Sequence, residues 1–565
     1  MAIKKQLPTG VSTLEAIING NLLYIDKTEI IHQLITTNRR CFFSRPRRFG
    51  KSLLVSTLKQ IFLGKKDLFK DLWIGQEDRH EWVARPVVHL DFSTINAVTI
   101  DVFEKSLNWT LEKLGKEHGV DVTNAPSADD KINELVSLLG RTTKVAVLID
   151  EYDAPLIKHI GDASTAMIIR DMLSSFYATI KGLDEFIHFT FVTGVTKFAK
   201  TSLFSGPNNL DDISLSDEFS ALCGYTEKEI VTNFNGYLCD RAIAEHSSIE
   251  EIMHQMRTWY NGYRFSDHPT DKMYNPFSVL LYFKHQKEGI YFDYAQPSPK
   301  GYGEQPSPLE ISSFAGLPAE AQESEGWFST GTPTFLVKRI EDDVTYFAQL
   351  DHSKADSELL DSFEIGEKDS NGSYRKISLK TLLFQSGYLT IESYDKVEGT
   401  YTLTYPNQEI RESLNRLALS SSLAIESNEV RSIQTILRGA LQQKDIGLFC
   451  VTIQRLFAHV PSSLHKPKEA FYHAHMQMLF NLLHFDAVSE VWVAGGRADL
   501  VLDLVNIIYI FEFKLNQTAK IALQQIKDNR YYEKYLLSTK EICLVGLNFE
   551  HETKMISYLT ELIQK

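Results

Sequence analysis

Three charged residues stand in a strongly apolar stretch near the C-terminal end of this 565-residue chain. Asp499 follows the run Gly-Arg-Ala, and Glu512 and Lys514 interrupt the run 507–515, whose other residues are aliphatic or aromatic. Charged side chains are rare in such runs unless they pair with each other or bind an ion. Two acids and a lysine in this pattern have the chemistry to hold a divalent cation and to act on a phosphodiester.

A short hairpin would bring these residues together. If the chain turns between Val505 and Asn506, then Asp499 and Glu512 are equally distant from the turn, and opposed residues on paired strands have Cβ atoms about 4.5–5.5 Å apart. Glu512 and Lys514 share a face, because side chains alternate along a strand. Two carboxylates so close repel each other unless a cation lies between them, and oxygen ligands suit Mg²⁺ or Mn²⁺. The pattern predicts Asp499 and Glu512 as metal ligands, with Lys514 orienting the attacking water or neutralising charge on the phosphate.

Two predicted helices flank this hairpin. Glu469 lies near the start of the first, 468–483, from which it could reach the metal. Gln525 lies on the second, 519–535, from which it would touch the attacking water or the scissile strand. The other elements predicted in this part of the chain are strands at 487–493, 499–504, 507–515 and 541–547, and a last helix at 552–563.

A second set of residues lies near the N-terminal end. The eight residues 45–52, Arg-Pro-Arg-Arg-Phe-Gly-Lys-Ser, have the spacing of a phosphate-binding loop, GxxxxGK[ST], between a predicted strand at 41–43 and a predicted helix at 53–62. Backbone N–H groups of the loop and the helix N-terminus would cradle phosphates. Arg45 stands where that pattern has glycine, so the loop geometry is expected to differ somewhat. The residues expected to hold the nucleotide are Arg47, Arg48, Gly50, Lys51 and Ser52, with Lys51 at the β- and γ-phosphates and Ser52 at the Mg²⁺ ion.

A buried strand predicted at 145–149 ends in two acids, Asp150 and Glu151. Asp150 would hold Mg²⁺ through water, and Glu151 would activate the water that attacks the γ-phosphate. A further predicted strand, 189–192, is followed by Thr193 and Thr196, either of which would contact the γ-phosphate. ATP with Mg²⁺ is therefore the predicted cofactor.

Composition limits the partners of the chain. A formal net charge of −14 argues against a protein that coats nucleic acid non-specifically, although no acid occurs from Ile30 through Lys66. Five scattered cysteines without a CxxC pair indicate a reducing compartment and no structural zinc. The chain has neither an apolar N-terminal signal segment nor a run of 18 apolar residues, so we expect a cytoplasmic protein without a membrane span.

Four regions are predicted along the chain: an α/β nucleotide-binding core at 1–220, a helical lid region at 221–325 with a Pro-rich insertion at 290–324, a mixed α/β region at 326–430 that is winged-helix-like, and a metal-binding unit at 431–565. Within them, helices are predicted at 227–238, 248–260, 376–387 and 430–460, and a hairpin at 388–391 and 401–404.

Both ends of the chain resemble known families. The segment 496–499, the run 511–514 and the glutamine-bearing helix resemble the PD-(D/E)xK nuclease superfamily, and more closely the branch that forms the C-terminal domain of AAA-ATPase-like proteins. Ala498 replaces the proline of that motif, at a position that varies across the superfamily. The N-terminal part resembles the same AAA-ATPase-like family in the runs 24–28, 45–52, 148–155, 193–197, 260–263 and 327–333.

The resemblance implies an α/β fold: a P-loop NTPase domain of AAA type, a helical or mixed middle region, and a C-terminal restriction-endonuclease-like α/β/α domain. It implies Asp499 and Glu512 as metal ligands, Lys514 as the catalytic lysine, Gln525 as a helper and Glu469 as an outer ligand.

Several functions fit these motifs. The first is an ATP-regulated, Mg²⁺-dependent nuclease acting on nucleic acid, with DNA favoured over RNA, in genome defence or mobile-element conflict. The second is a nucleotide-dependent switch or scaffold whose nuclease fold binds nucleic acid without cutting it. The third is a toxin or effector nuclease. The sequence is compatible with a monomer and with a homo-oligomer.

Overall fold

The computed structural model of the chain describes residues 4–77, 79–197, 210–266, 271–284, 347, 349–361, 378–458, 468–483, 486–493 and 496–563. The Pro-rich segment 290–324 and the run 327–333 lie outside these residues. The chain forms two compact units. The first unit comprises Met1–Lys287 and His352–Gln408, and the second comprises Glu288–Asp351 and Glu409–Lys565.

A parallel sheet forms the centre of the first unit. Its strands are β1 (Arg40–Ser44), β2 (Val87–Asp91), β3 (Val145–Asp150), β4 (Ile187–Gly194) and β5 (Asp211–Asp212), in the spatial order β2-β3-β4-β1-β5. The neighbours β2 and β3, β3 and β4, β4 and β1, and β1 and β5 all run parallel. β3 is buried along its whole length, as expected for a parallel strand covered on both faces. The strands predicted from apolar runs are confirmed.

Helices connect and cover these strands. They are α1 (Leu14–Asn19), α2 (Thr28–Thr37), α3 (Lys51–Phe62), α4 (Ile100–Glu117), α5 (Ala128–Gly140), α6 (Ala154–Lys158), α7 (Ala163–Gly182), α8 (Glu227–Asn233), α9 (Asn235–Ala244), α10 (Ile249–Tyr260) and α11 (Pro276–Lys284). The helix predicted at 227–238 is two helices, α8 and α9, which meet at Phe234. The helix predicted at 248–260 is confirmed, and Ser248 caps it in a capping box with Glu251.

The rest of the first unit is a small antiparallel sheet with two helices. Its elements are β6 (Ser353–Asp356), α12 (Ser357–Asp361), α13 (Leu379–Gln385), β7 (Thr390–Asp395) and β8 (Thr400–Thr404). The strands lie in the order β6-β8-β7, and β7 and β8 form the predicted hairpin.

The second unit is built on a mixed sheet. Its helices are α14 (Gln408–Leu423), α15 (Ser427–Gln442), α16 (Ile446–Ala458), α17 (Glu469–Leu482) and α18 (Ala519–Asp528), and its strands are β9 (Asp486–Val493), β10 (Gly496–Asp503), β11 (Ile507–Leu515), β12 (Glu541–Phe549) and β13 (Ile556–Ile563). The strand order is β13-β12-β11-β10-β9, and only β11 and β12 pair in parallel. The helix predicted at 430–460 is two helices, because the chain takes a left-handed conformation at Lys444 between α15 and α16.

Helices cover both faces of this second sheet. Leu523 and Ile526 of α18 belong to one buried cluster with Ile508 and Ile510 of β11. Phe511, which points to the other face, packs against aromatic rings of α16 and α17, with ring centroids 5.8 and 5.2 Å away. The predicted α/β/α arrangement is therefore confirmed.

The helix predicted at 552–563 is wrong. Residues Ile556–Ile563 form strand β13, antiparallel to β12. The local spacing of Ile556, Leu559 and Ile563 suits a helix as well as a strand. The open edge of β12 offers a complete row of backbone partners, and this long-range pairing decides the conformation.

Gly546 sets how closely α18 approaches the sheet. It lies on β12 beside Glu512 of β11 in the parallel register. A Cβ atom at Gly546 would come within 2.5 Å of the carbonyl oxygen of Ala519 and of the backbone nitrogen of Leu523. The backbone of α18 therefore packs directly against the backbone of β12 at Gly546.

We expect Gly546→Val to lower the free energy of unfolding by about 1–3 kcal/mol, because the added atoms force α18 away from β12. Denaturant unfolding and hydrogen exchange of the β11 and β12 amides would measure the loss. Gly439→Ala is the matched control: a Cβ there meets no atom within 4 Å, and alanine in a helix is better than glycine by about 0.8–1.0 kcal/mol. Equal stability of Gly546→Val and the unaltered protein would contradict the close packing.

Candidate functional site

The hairpin register places the first pair of acids as predicted. Leu500 pairs with Phe511 and Val501 with Ile510, so that Asp499 and Glu512 are the next opposed positions. One carboxylate oxygen of Asp499, Oδ2, accepts a hydrogen bond from the backbone N–H of Phe513 at 2.8 Å. This contact ties the acid of β10 to the strand that carries the other two charged groups.

Glu512 is the most constrained member of the group. Its side chain is 2% exposed, and Oε1 accepts a hydrogen bond from Lys514 Nζ at 2.8 Å. Its other oxygen, Oε2, is buried and has no hydrogen-bond partner within the part of the chain that the structure describes. Burial, and then the charge of Asp499, raise the pKa of Glu512 to about 7. A buried carboxylate oxygen without a donor is a fitting ligand for a cation.

Lys514 remains a cation in this setting. Burial lowers the pKa of its ammonium group, but the hydrogen bond to Glu512 and the charges of Glu512, Asp499 and Glu469 outweigh burial and raise the pKa above its usual value. Nζ also donates to the carbonyl oxygen of Phe513 at 3.1 Å. Lys514 can therefore stabilise negative charge or orient water by donating hydrogen bonds, and it is poorly suited to accept a proton.

Helix α17 brings two more polar side chains to the pair of acids. Glu469 Oε1 lies 4.0 Å from Lys514 Nζ. His473 Nε2 lies 3.8 Å from Asp499 Oδ1, and its ring meets the ring of Phe513 edge to face at 5.8 Å. His473 was not predicted from the sequence. The only sequence feature that could have indicated His473 is its spacing of four residues from Glu469, which places both side chains on one face of a helix.

Gln525 is half-buried on α18, which covers the same face of the sheet as Glu512 and Lys514. Over the described ranges, no hydrogen bond joins it to the acids. The structure thus brings Asp499, Glu512, Lys514 and Glu469 together and places Gln525 on the covering helix.

The metal-binding capacity of this site rests on two carboxylates. Among the described residues, no three acidic, histidine or cysteine side chains converge closely enough to hold a metal ion. Mg²⁺ is commonly bound through one or two carboxylates together with waters and substrate phosphates. Asp499 and Glu512 fit that requirement, and Glu469 would need to move to join them.

The phosphate-loop residues surround a lysine in the first unit. Gly50 takes a left-handed conformation (φ 98°) directly before α3, and Arg48 takes one as well (φ 66°). Lys51 Nζ donates to the carbonyl oxygens of Arg45 and Pro46 at 3.1 and 3.3 Å, and it lies 3.5 Å from Glu151 Oε1. The loop therefore already curves around the ammonium group that is predicted to meet the β- and γ-phosphates.

Arg45 explains how the loop forms without its first glycine. Its φ is not positive, so the position requires no glycine. Its guanidinium group is buried, donates to the carbonyl oxygen of Ser214 at 2.7 Å, and lies between the rings of Phe43 and Phe265, 4.3 and 4.1 Å from their centroids. Burial lowers the pKa of Arg45 to about 9. Arg45 is a structural residue directed away from the loop interior.

The other predicted phosphate-loop residues are more accessible. Arg47 is half-buried. Arg48 is exposed, and its guanidinium group lies 4.7 Å from the centroid of the Phe277 ring. Ser52, in the first turn of α3, is hydrogen-bonded to Asp150. The structure thus brings Ser52 and Asp150 together, as a shared Mg²⁺ site requires.

The acids after β3 lie beside the loop. Burial, and then the charge of Glu151, raise the pKa of Asp150 to about 6. Glu151 takes a left-handed conformation (φ 49°). Thr193 lies on β4, which runs between β1 and β3, and its buried hydroxyl has no hydrogen-bond partner in the described ranges. All three lie at the carboxyl ends of the parallel strands, where α/β sheets bind their ligands.

Asp153 is a further buried acid that the sequence did not single out. It is fully buried, and its carboxylate accepts hydrogen bonds from the backbone N–H groups of Val195 and Thr196. The Thr196 hydroxyl also donates to it, whereas the Thr193 hydroxyl has no hydrogen-bond partner among the described residues. Asp153 links the loops that follow β3 and β4. The only sequence feature that could have pointed to Asp153 as a site residue is its position three residues after Asp150.

We expect Arg45→Gly to destabilise the protein by roughly 2–4 kcal/mol, because it removes a packed side chain and leaves buried carbonyl oxygens without donors. Arg48→Gly is the matched control: it removes the same side chain three residues later, where a positive φ favours glycine. Denaturant unfolding monitored by circular dichroism would compare the two. A stable Arg45→Gly variant would show that the guanidinium group has no structural role.

The chain matches two family models. Residues 8–204, which include the phosphate loop, both acids after β3 and Thr193, match a family described as predicted AAA-ATPase. Residues 467–558, which include Glu469, Asp499, Glu512, Lys514 and Gln525, match the PD-(D/E)XK nuclease superfamily. A protein of Azotobacter chroococcum mcd 1, described as "Uncharacterized protein in vnfD 5'region", is 32% identical over 569 residues, an alignment that covers 98% of each chain. Within the described ranges, no helix is long and apolar enough to cross a membrane.

Proposed function

Since the chain belongs to the AAA-ATPase-like family and carries a C-terminal PD-(D/E)XK nuclease superfamily domain, we propose that it is an ATP-regulated nuclease that cleaves DNA with Mg²⁺ or Mn²⁺. The observation that carries the proposal is the buried oxygen Oε2 of Glu512, which has no hydrogen-bond partner among the described residues and lies beside Asp499 and the ammonium group of Lys514. In genome defence or in conflict with mobile elements, nucleotide control would restrict such cleavage.

Each candidate site residue of the second unit has a defined role in this proposal. Asp499 and Glu512 hold the divalent cation, and Glu469 is its outer ligand. The cation, when bound, polarises a phosphoryl oxygen and lowers the pKa of bound water. Lys514 donates hydrogen bonds to the attacking water or to the phosphoryl oxygen on which charge develops. Gln525 contacts the water or the scissile strand from α18.

The first unit binds the nucleotide in this proposal. Backbone N–H groups of the loop, with Gly50 at its end, hold the phosphates, and Lys51 contacts the β- and γ-oxygens. Arg47 and Arg48 add positive charge around them. Ser52 and Asp150 hold Mg²⁺, Glu151 activates the attacking water, and Thr193 donates to the γ-phosphate.

We expect Asp499→Ala and Lys514→Ala each to reduce Mg²⁺- or Mn²⁺-dependent cleavage by a factor of about 10²–10³ or more, because each removes a group that acts on the reacting phosphate. A panel of double-stranded DNA, single-stranded DNA and RNA, with and without ATP and with a chelator as the metal-free reference, would measure the rates. Lys520→Ala, which removes an exposed lysine of α18, is the control and should cleave normally. Unchanged cleavage in both site variants would refute the assignment.

Lys51→Met should weaken ATP binding by at least about tenfold, since it removes the charge that meets the phosphates while keeping the length of the side chain. Titration with a fluorescent ATP analogue would measure this, with Lys70→Met as an exposed-lysine control. If the nuclease is under nucleotide control, cleavage by Lys51→Met should no longer respond to ATP. A nucleotide response equal to that of the unaltered protein would exclude Lys51 from the site.

A nucleotide-dependent switch that binds nucleic acid without cutting it is the second candidate. It is favoured by one observation: the described residues hold no group of three metal ligands ready to bind an ion. ATP binding together with the absence of metal-dependent cleavage on every substrate of the panel would support the switch. A toxin or effector nuclease would show the same chemistry as the first proposal and would differ in its target.

A further inference from the structure

Basic residues stand at the start of four neighbouring strands in the first unit. Arg39 and Arg40 lie at the start of β1, Arg85 lies two residues before β2, Lys144 directly precedes β3, and His188 is the second residue of β4. Because β2, β3, β4 and β1 are parallel and adjacent in this order, their amino ends form one edge of the sheet. We call Arg39, Arg40, Arg85, Lys144 and His188 the basic edge.

Four side chains of the basic edge are close to one another. Arg39, Arg40, Lys144 and His188 line one cavity of about 360 Å³, together with Asp184 and Glu185. Burial, followed by the charges of Arg85, Arg39 and Lys144, lowers the pKa of His188. The three nearby cations therefore disfavour protonation of this imidazole ring, whose nitrogens can donate and accept hydrogen bonds.

The acids in the cavity do not balance this charge. Arg40 forms an ion pair with Asp184, while Arg39, Lys144 and Glu185 are exposed. Counting Arg85, four full positive charges face two negative ones, in a chain whose formal net charge is −14. Cations gathered in this way repel one another, and an anionic ligand relieves that repulsion.

The nucleotide does not account for the basic edge. The phosphate loop follows Ser44 at the carboxyl end of β1, whereas Arg40 begins that strand. Four residue steps of about 3.3 Å separate these ends by roughly 13 Å. The basic edge therefore lies at the amino ends of the strands, and the nucleotide site lies at their carboxyl ends.

We propose that the basic edge binds consecutive phosphates of a nucleic-acid backbone, an inference that rests on the proposed nuclease function. Three inter-strand steps of about 4.8 Å separate the cations at the starts of β2 and β1 by roughly 14 Å. This equals the axial rise of about four nucleotides of one strand, at about 3.4 Å each. The contacts are to phosphates alone, so the edge holds the substrate without regard to its sequence.

The test compares two charge-matched double variants of the full-length protein. Binding of fluorescein-labelled 20-nucleotide single strands and 20-base-pair duplexes is followed by fluorescence anisotropy in a chelator, which prevents cleavage, over a series of salt concentrations. Arg39→Gln with Lys144→Gln should raise the dissociation constant about tenfold or more and reduce the slope of log K against log salt by about two, one unit for each lost phosphate contact. Arg39→Lys with Lys144→Arg should restore both values.

The control is Lys105→Gln with Lys113→Gln, which removes the same charge from two exposed positions on α4. It should leave affinity and salt slope unchanged, and ATP affinity should be equal in all variants. If Arg39→Gln with Lys144→Gln binds as tightly as the control, or if both weaken binding equally, the basic edge is not the docking site, although metal-dependent cleavage would still uphold the nuclease. If the unaltered protein neither binds nor cleaves any of these nucleic acids, both proposals fall.

Discussion

Burying the carboxylate of Glu512 beside a second acid is the constraint around which the second unit is arranged. An ionised carboxylate loses several kcal/mol of hydration when it enters an apolar interior, and a like charge nearby adds to that loss. Lys514 offsets part of it through one oxygen, and the N–H of Phe513 steadies Asp499. The remaining oxygen has no donor within the described ranges. Among the described residues, that oxygen therefore lacks the positive partner that a bound cation would supply.

In the first unit the buried charged group is a cation, the ammonium group of Lys51, instead of a carboxylate. Lys51 is buried and is held by carbonyl oxygens of its own loop and by the nearby Glu151. Acids after β3 gather beside it, and burial raises the pKa values of Asp150 and Asp153. Phosphate oxygens and a divalent cation would supply the missing counter-charges to both sets at once. Each unit thus holds buried charges that a ligand of opposite sign would stabilise further.

The sequence predicted best where local geometry decides the outcome. The turn between Val505 and Asn506 fixes which residues of β10 and β11 are opposed, so the register of Asp499 and Glu512 followed from counting. Strands buried on both faces are continuously apolar, which made β3 recognisable. The strand β13 was missed because its conformation depends on the free edge of β12, which no local pattern records.

The features of the two sites that the sequence did not predict depend on contacts between distant parts of the chain. The sequence shows that Arg45 replaces a glycine. The position of its guanidinium group, however, depends on contacts with Ser214 and Phe265, which are about 170 and 220 residues away in the sequence. His473 reaches Asp499 only because α17 packs against β11 through aromatic rings. Tertiary packing determines both positions.

Nucleotide control requires that ATP change contacts that exist without it, because a ligand shifts a protein only through differential interactions with its states. The first unit shows which contacts those are. Phosphates that enter the loop compete with the carbonyl oxygens of Arg45 and Pro46, and with Glu151, for the ammonium group of Lys51. Glu151 is released from Lys51 only when that competition succeeds. β1 joins this loop to the basic edge through five residues of paired strand. Under the proposed nucleotide control, a change on ATP binding would begin in the loops after β1 and β3, where Arg48 and Glu151 hold the chain in left-handed conformations.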